Sequence, residues 1–411
     1  MIGVHSAKFM AERATENLRD AAVRYGVDHP VVNDRDFAVW NSYAVRAWPT
    51  LLFIDPTGKL VAKHEGEAPV EALDRFVTEA LQGYRGAGLL DASRPLPLRA
   101  EQVAEAKLAF PGKVAADPSG SRLAISDTNH DRVLVAGTDG QVERVFTGFN
   151  RPQGVAFAGT RLYVADTGAH SIRAVDLETG EVSLLAGAGR PAMTEADLAE
   201  GALRSPWDVT VHGGLLYIAM AGSHQVWRME PERGRPQPWA GTGREGIRDG
   251  TVDAAWFAQP SGIATDGRRL YVADSEVSAV RAIDPRAGTV RTLVGEGLFE
   301  FGDRDGVGVQ ARLQHPLGVA AGPGTVYVAD SYNCKVKRID LADGRVETFA
   351  GSGSPGAADG IGEAAAFNEP GGLAVVGGRL FVADTNNHRI RVVDLDSRRV
   401  ATLELTGWTE G

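Results

Sequence analysis

The sequence predicts two folds in tandem: a small α/β module, then an all-β ring of six four-stranded sheets, a β-propeller. Three observations carry this reading. Glycine supplies 50 of 411 residues, while hydrophobic residues stay at 43%; average proteins have roughly 7% glycine, and such an excess fits many tight turns between short strands. The string Leu162–Asp166 (LYVAD) returns as Leu270–Asp274, Val326–Asp330 and Leu380–Asp384, with weaker copies at Leu123–Asp127 and Leu216–Met220. The residues ahead of this repeat instead mix strand signals with helical periodicity.

Composition narrows the function classes. The net charge of −10 repels phosphate backbones, so nucleic acid is not an expected partner. No apolar run approaches the roughly 18 residues that span a bilayer, and no membrane association is expected. Cys334 is the single cysteine; it cannot form an internal disulfide, a Cys-x-x-Cys pair or a thiolate-rich metal site. Met1–His5 shows no basic stretch followed by an apolar one, so a cytoplasmic location is expected.

The front module occupies residues 1–82. Ile2–His5 is an apolar strand. Phe9 to Tyr25 reads as one amphipathic helix, with Met10, Ala14, Leu18, Ala21 and Tyr25 on a stripe and Gly26 as its stop. A short helix fits Arg35–Tyr43. Trp48-Pro49-Thr50 leads into a hairpin, Leu51–Ile54 and Lys59–Glu65 around Asp55-Pro56-Thr57-Gly58, and a helix near Val70–Leu81 ends the module. Residues 83–107, with Gly, Pro95 and Pro97 and little periodicity, read as a linker; Glu101–Lys107 is expected as a short helix or an extra outer strand that closes the ring.

The propeller occupies residues 108–405. The last residues of the LYVAD copies, Asp127, Asp166, Met220, Asp274, Asp330 and Asp384, are spaced 39, 54, 54, 56 and 54 apart. A proline ladder precedes them: Pro111, Pro152, Pro206, Pro260, Pro316 and Pro370. Each unit reads as four short strands; in the second they are Gly154–Phe157, Arg161–Asp166, Ser171–Leu177 and Val182–Ala186. One such sheet cannot bury both faces alone, whereas six around an axis cover one another. The Gly-rich connections have no room for the helices of βαβ units.

The units resemble NHL repeats. The phrases Ser205–Val209, Ala219–Trp227, Phe257–Gly262, Phe301–Gly308, Leu313–Val319 and Asn368–Leu373 together are similar to those of the NHL repeat-containing protein 2 family, over nearly the whole chain. The resemblance implies a thioredoxin-like domain, a six-bladed β-propeller of NHL repeats and a β-rich tail, which this chain does not reach. It also implies that Pro49 is a cis-proline, and that a further strand and a Cys-bearing helix precede the first strand here. The front module is therefore expected as a partial thioredoxin-like domain, with a translation start upstream of Met1. Without that segment no thiolate lies near Pro49, and the module as written is redox-inactive.

Candidate sites follow from the repeat and its exceptions. His170, His224 and His388 stand four residues after the ladder's Asp or Met, where Cys334, Ser278 and Asp131 stand in the other units. Groups spread around a ring cannot converge on one ion at metal–nitrogen distance; they are expected to hydrogen-bond turns between blades. The ladder aspartates are expected to accept backbone N–H bonds. Gly241-x-Gly243-x-x-Gly246 and Gly351-x-Gly353-x-x-Gly356 match a dinucleotide pattern but lead into another loop, not a helix. Asp249-Gly250, Asp305-Gly306 and Asp359-Gly360 read as turns, with Phe257, Leu313 and Phe367 as buried anchors.

The exceptions are more telling. Where Gly154, Gly262, Gly318 and Gly372 begin the inner strands, the first and third units carry Lys113 and Asp208. The third unit also replaces the ladder Asp by Met220 and the usual base by Trp227. Lys113, Gln153, Trp207, Asp208 and His315 are thus the candidate rim of the central channel, suited to a protein or peptide partner, or to a small-molecule ligand. No metal and no cofactor is expected. The reading is a non-catalytic binding scaffold. The alternatives are a thiol-disulfide oxidoreductase whose Cys motif lies upstream of Met1, and a metal-dependent propeller hydrolase or lyase.

Overall fold

The computed structural model describes residues 1–66, 68–90, 106–231 and 234–408. The chain divides into two units, Met1–Gln102 and Val103–Gly411.

The front unit runs β1 (Gly3–His5), α1 (Thr15–Arg24), β2 (Val31–Asn33), α2 (Ala38–Ser42), β3 (Thr50–Ile54), β4 (Leu60–Glu65) and α3 (Val70–Gly86). β1 and β2 pair in parallel, and β3 and β4 form an antiparallel hairpin. Asp34 organises one end. Its carboxylate accepts the Val39 and Trp40 N–H groups and the Ser6 hydroxyl, at 2.8–2.9 Å. Trp48 donates its indole N–H to Ser6 O at 2.8 Å, and the Trp48–Pro49 bond is cis.

The front differs from its sequence pattern in three places. The helix expected from Phe9 to Tyr25 is broken at Ala14, whose ψ of 131° is extended; periodicity marks an apolar stripe but not such a break. The strand β2 follows Pro30 with only three residues, too few for a readable alternation. α3 continues through Gly83 to Gly86, past the expected linker boundary; glycine costs a helix only about 1 kcal/mol. The helix yields where Gly88 takes φ +65° and Leu89 N–H turns back to Tyr84 O. Residues 91–105, which hold most of the expected linker and the start of Glu101–Lys107, lie outside the described residues. None of the three front helices buries a residue, and Ala7 and Phe9 are the buried apolar side chains among the described front residues.

The second unit is a six-bladed propeller. The first strands are Pro111–Ala116, Pro152–Ala158, Pro206–His212, Pro260–Thr265, Gly318–Gly322 and Pro370–Val376. They adjoin one another in cyclic order, the last against the first. From each, three further antiparallel strands lead outward in chain order. In blade 2 these are Arg161–Asp166, Ser171–Asp176 and Val182–Gly187.

Six apolar clusters fill the six blade interfaces. Val133, Phe146, Val155, Phe157 and Leu162 join blades 1 and 2. At the closing interface Leu108, Ile125 and Leu134 meet Phe381, Ile390 and Leu405. Each such side chain contributes about 1.5–3 kcal/mol when withdrawn from water. Closure is by the segment around Thr406. Val142 N–H bonds Thr406 O at 2.8 Å and Thr406 N–H bonds Gly140 O at 3.0 Å, on the outer edge of blade 1. Lys107 ties in by donating to Leu405 O at 2.9 Å.

Blades 4, 5 and 6 carry a fifth strand that the repeat pattern does not announce. Gly250–Thr251, Gly306–Val307 and Gly360–Ile361 pair antiparallel with the fourth strands of their blades. They grow from the long loop that precedes each blade. Among the described residues no helix is long and apolar enough to cross a membrane.

Candidate binding site at the propeller mouth

The site rests on three circles of fasteners at the face where the first strands begin. In the innermost circle, Asp127, Asp166, Asp274, Asp330 and Asp384 are fully buried. Each accepts the N–H of the residue two before its blade's proline (Ala109, Asn150, Ala258, Gln314 and Asn368) at 2.6–2.8 Å. The next residue's hydroxyl crosses to the following blade. Thr128, Thr167, Ser275, Ser331 and Thr385 donate to the carbonyls of Pro152, Pro206, Pro316, Pro370 and Pro111 at 2.6–2.9 Å. The last of these closes the ring.

The third circle is where the histidines belong. Asp131, His170, His224, Ser278, Cys334 and His388 all take left-handed backbone, φ 48–56°. Each side chain accepts an N–H from the next blade: Arg151, Ser205, Gln259, His315, Glu369 and Phe110 respectively. These groups fasten turns between blades, as their recurrence implies. Burial pushes the Cys334 thiol up to about 12, despite the Glu369 N–H it accepts, so it is no nucleophile at neutral pH.

Each buried aspartate also meets a donor from its own blade. Asp166 takes Arg173 Nε at 2.8 Å, Asp274 takes Arg281, and Asp384 takes Arg391 and Asn387. Burial still dominates, raising Asp274 and Asp384 to about 6 and Asp330 to about 7. Blade 3 departs from all of this at once. Met220 replaces the carboxylate, Ala221 the hydroxyl and Trp227 the cation, and all three are buried. The substitution is coherent: an apolar pair stands where an ion pair would be.

At the level of Lys113, Gly154, Asp208, Gly262, Gly318 and Gly372 the neighbouring first strands approach one another closely. A Cβ on Gly154 would come within 2.4 Å of Asp208 Cα, and one on Gly372 within 2.5 Å of Lys113 Cα. Only glycine permits so close an approach of neighbouring backbones. Lys113, from blade 1, reaches past blade 6 to blade 5. Its ammonium donates to Leu317 O of blade 5 and to Gly371 O of blade 6, the latter at 2.8 Å. Asp208, from blade 3, accepts its neighbour Val209 N–H and Ile263 N–H of blade 4, both at 2.9 Å. Burial lowers Lys113 to about 8 and raises Asp208; the charge of each partly offsets the shift of the other.

The candidate rim therefore separates into two layers. Lys113 and Asp208 are 4% and 7% exposed; they lie inside the ring and not on an open rim, because each finds backbone partners there. Gln153, Trp207 and His315 are half-buried. Gln153 lies over Gly112, where a Cβ would strike its amide. His315 takes φ 49° and stacks on Tyr332 at 4.4 Å, with Nδ1 3.5 Å from Glu276 Oε1. Tyr332 and Glu276 are neighbours of His315 that sequence reasoning missed; both stand two residues after a ladder Asp, a signal that was there to use.

The remaining motifs are architectural. Phe257, Leu313 and Phe367 are fully buried. Asp249 and Asp359 accept from Arg281 and Arg391, and Asp305 from Lys337, at 2.7–3.0 Å, so these turns are pinned by a cation of their own blade. Among the described residues no three His, Cys, Asp or Glu side chains are grouped to hold a metal ion.

This fold and its fastening circles define an NHL-repeat β-propeller. The NHL repeat model matches residues 367–393. A crystal structure of a structural-genomics protein from Bacteroides thetaiotaomicron shares the fold, with a TM-score of 0.54 at 20% identity over 70% of each chain. The chain is 40% identical to NHL repeat-containing protein 2 of Bos taurus, over 98% of this chain and 62% of that protein. It is 42% identical to Protein SUPPRESSOR OF QUENCHING 1, chloroplastic, of Arabidopsis thaliana, over 99% of this chain and 42% of that one. The chain is similar to these relatives over nearly its whole length, and it spans less than two thirds of theirs.

Proposed function

We propose that the chain is a non-catalytic binding scaffold that captures a protein or peptide partner at the propeller mouth, on the patch formed by Gln153, Trp207 and His315. The observation that supports it is Trp207. A half-buried indole at the start of a first strand, next to the buried Asp208, offers a large amphipathic anchor of the kind that dominates binding patches. Lys113 and Asp208 then position the mouth strands and do not touch the partner. A small-molecule ligand on the same patch is the neighbouring reading.

In the same proposal the front unit is a thioredoxin-like domain without redox activity. Its support is the parallel β1–β2 pair and the cis Trp48–Pro49 bond leading into the β3–β4 hairpin, together with the placing of the one cysteine in blade 5. A cytoplasmic location belongs to this reading too; the lone buried thiol needs no oxidising compartment.

The test is a peptide-display selection on the intact chain, followed by affinity measurements. Selected peptides should bind Trp207→Ala about tenfold more weakly or worse, with the melting temperature unchanged. Equal affinity for that variant moves the partner site away from the mouth.

A further inference from the structure

The outer edges of the blades are finished in different ways, and one is left half-finished. In blades 4, 5 and 6 a preceding segment with an Asp-Gly pair adds as a fifth strand. Its glycine stands opposite the valine of the fourth strand, as Gly250 does to Val290 and Gly306 to Val346. Its aspartate bridges two donors. Asp249 takes Arg281 and the outward N–H of Thr292; Asp305 takes Lys337 and the outward N–H of Thr348. Blade 1 has the Thr406 segment on its edge. Blade 3 has Trp227 in place of the cation, Pro238 in its outer strand, and α4 (Glu195–Ala199) in the preceding loop.

Among the described residues, blade 2 keeps the donors but lacks the acceptor. Only residues 147–151 separate its first strand from blade 1, against 241–259 ahead of blade 4, so no segment of that loop can reach its edge. Arg173 stands at the place of Arg281 and Lys337, and pairs with Leu184 in the same bulged register in which they pair with Thr292 and Thr348. Its Nε holds Asp166, and its side chain is 28% exposed. The Leu184 N–H therefore faces outward, and Leu184 is 58% exposed.

We propose that the outer edge of blade 2 takes an extended acidic segment of a partner protein as a fifth strand. An aspartate of that segment engages Arg173 and the Leu184 N–H, and the glycine after it stands opposite Val182. The chain itself supplies the template for this occupant, in full at Asp249 and Asp305 and in part at Asp359, and the partly exposed Arg173 side chain supplies the charge complement. Strand addition of this kind draws affinity from main-chain bonds and specificity from alternate side chains.

The probe is a fluorescent peptide reproducing residues 302–310, titrated with the intact chain and followed by anisotropy. Saturable binding is expected, weakened about tenfold by Asp305→Ala in the peptide, the loss expected for one charge-assisted bond. Leu184→Pro in the protein should abolish binding; it deletes an N–H that the ladder does not use. Hydrogen exchange on the unmodified chain gives a second readout, with slowing at residues 182–185 on peptide addition. No saturable binding, equal affinity for the alanine peptide, or protection confined to another part of the chain would overturn the assignment.

Discussion

Blade 3 and the five blades around it share the same order of four antiparallel strands, yet different chemistry holds them. The five use a buried carboxylate, a hydroxyl that crosses to the next blade and, in most, a long cation beneath. Blade 3 uses Met220, Ala221 and Trp227 and gains Asp208, whose carboxylate reaches Ile263 N–H of blade 4. One blade-to-blade bond has moved from the hydroxyl circle into the channel. The ring tolerates the exchange because each interface has its own apolar cluster; the one between blades 2 and 3 includes Met220, Trp227 and Met229. The comparison teaches that the polar fasteners select geometry while the clusters carry most of the stability.

The sharpest way to break that comparison is to force blade 3 into the pattern of the others. Met220→Asp buries a carboxylate against Trp227 with no cation. An unpaired buried charge costs about 3–5 kcal/mol. Adding Trp227→Arg should restore a large part of the loss, as a coupled pair does. Urea denaturation of the single and double variants measures both. A single variant within about 1 kcal/mol of the parent would show that the two chemistries are interchangeable position by position.

Next in size is the channel pair. Lys113→Met leaves Leu317 O and Gly371 O without their donor and Asp208 without its nearby cation. Asp208 keeps two amide donors, so the loss at pH 7 should be about 1–3 kcal/mol. The pH profile carries the sign. Lys113 is lowered to about 8 from 10.5, so between those values the unfolded chain holds the proton that the folded chain has shed. Stability from this group therefore rises as pH climbs from about 8 toward 10.5. Lys113→Met should lack that rise. The same profile in parent and variant would remove Lys113 as the titrating group.

Much of this architecture is legible in the sequence, and the reason is repetition. The LYVAD and proline ladders set six blades because equivalent residues meet equivalent surroundings, so even the role of His170, His224 and His388 follows from their recurrence. Lys113 and Asp208 stand out as exceptions for the same reason. Their burial is not legible: whether a lysine lies on a rim or is buried against neighbouring blades depends on six strands meeting, which no local pattern records. The fifth strands escape notice because two residues such as Gly306-Val307 are too short to alternate. In the front unit nothing repeats, and the break at Ala14 and the strand β2 have no second copy to confirm them.

The smallest effects test the hydroxyl circle from both sides. Thr385→Val removes the bond to Pro111 O that closes the ring, leaving a buried carbonyl unpaired, and should cost about 1–2 kcal/mol. Ala221→Ser does the reverse. Ser275 and Ser331 occupy the same place in blades 4 and 5 and donate to the next blade's proline carbonyl at 2.7 and 2.6 Å, so a serine at 221 has Pro260 O as its counterpart. A gain of about 0.5–1 kcal/mol is expected, the net worth of one neutral hydrogen bond. If Ala221→Ser destabilises instead, Asp208 and Ile263 have already drawn the blade 3–4 junction into a geometry that the hydroxyl cannot span, and blade 3 differs from its neighbours in backbone as well as in chemistry.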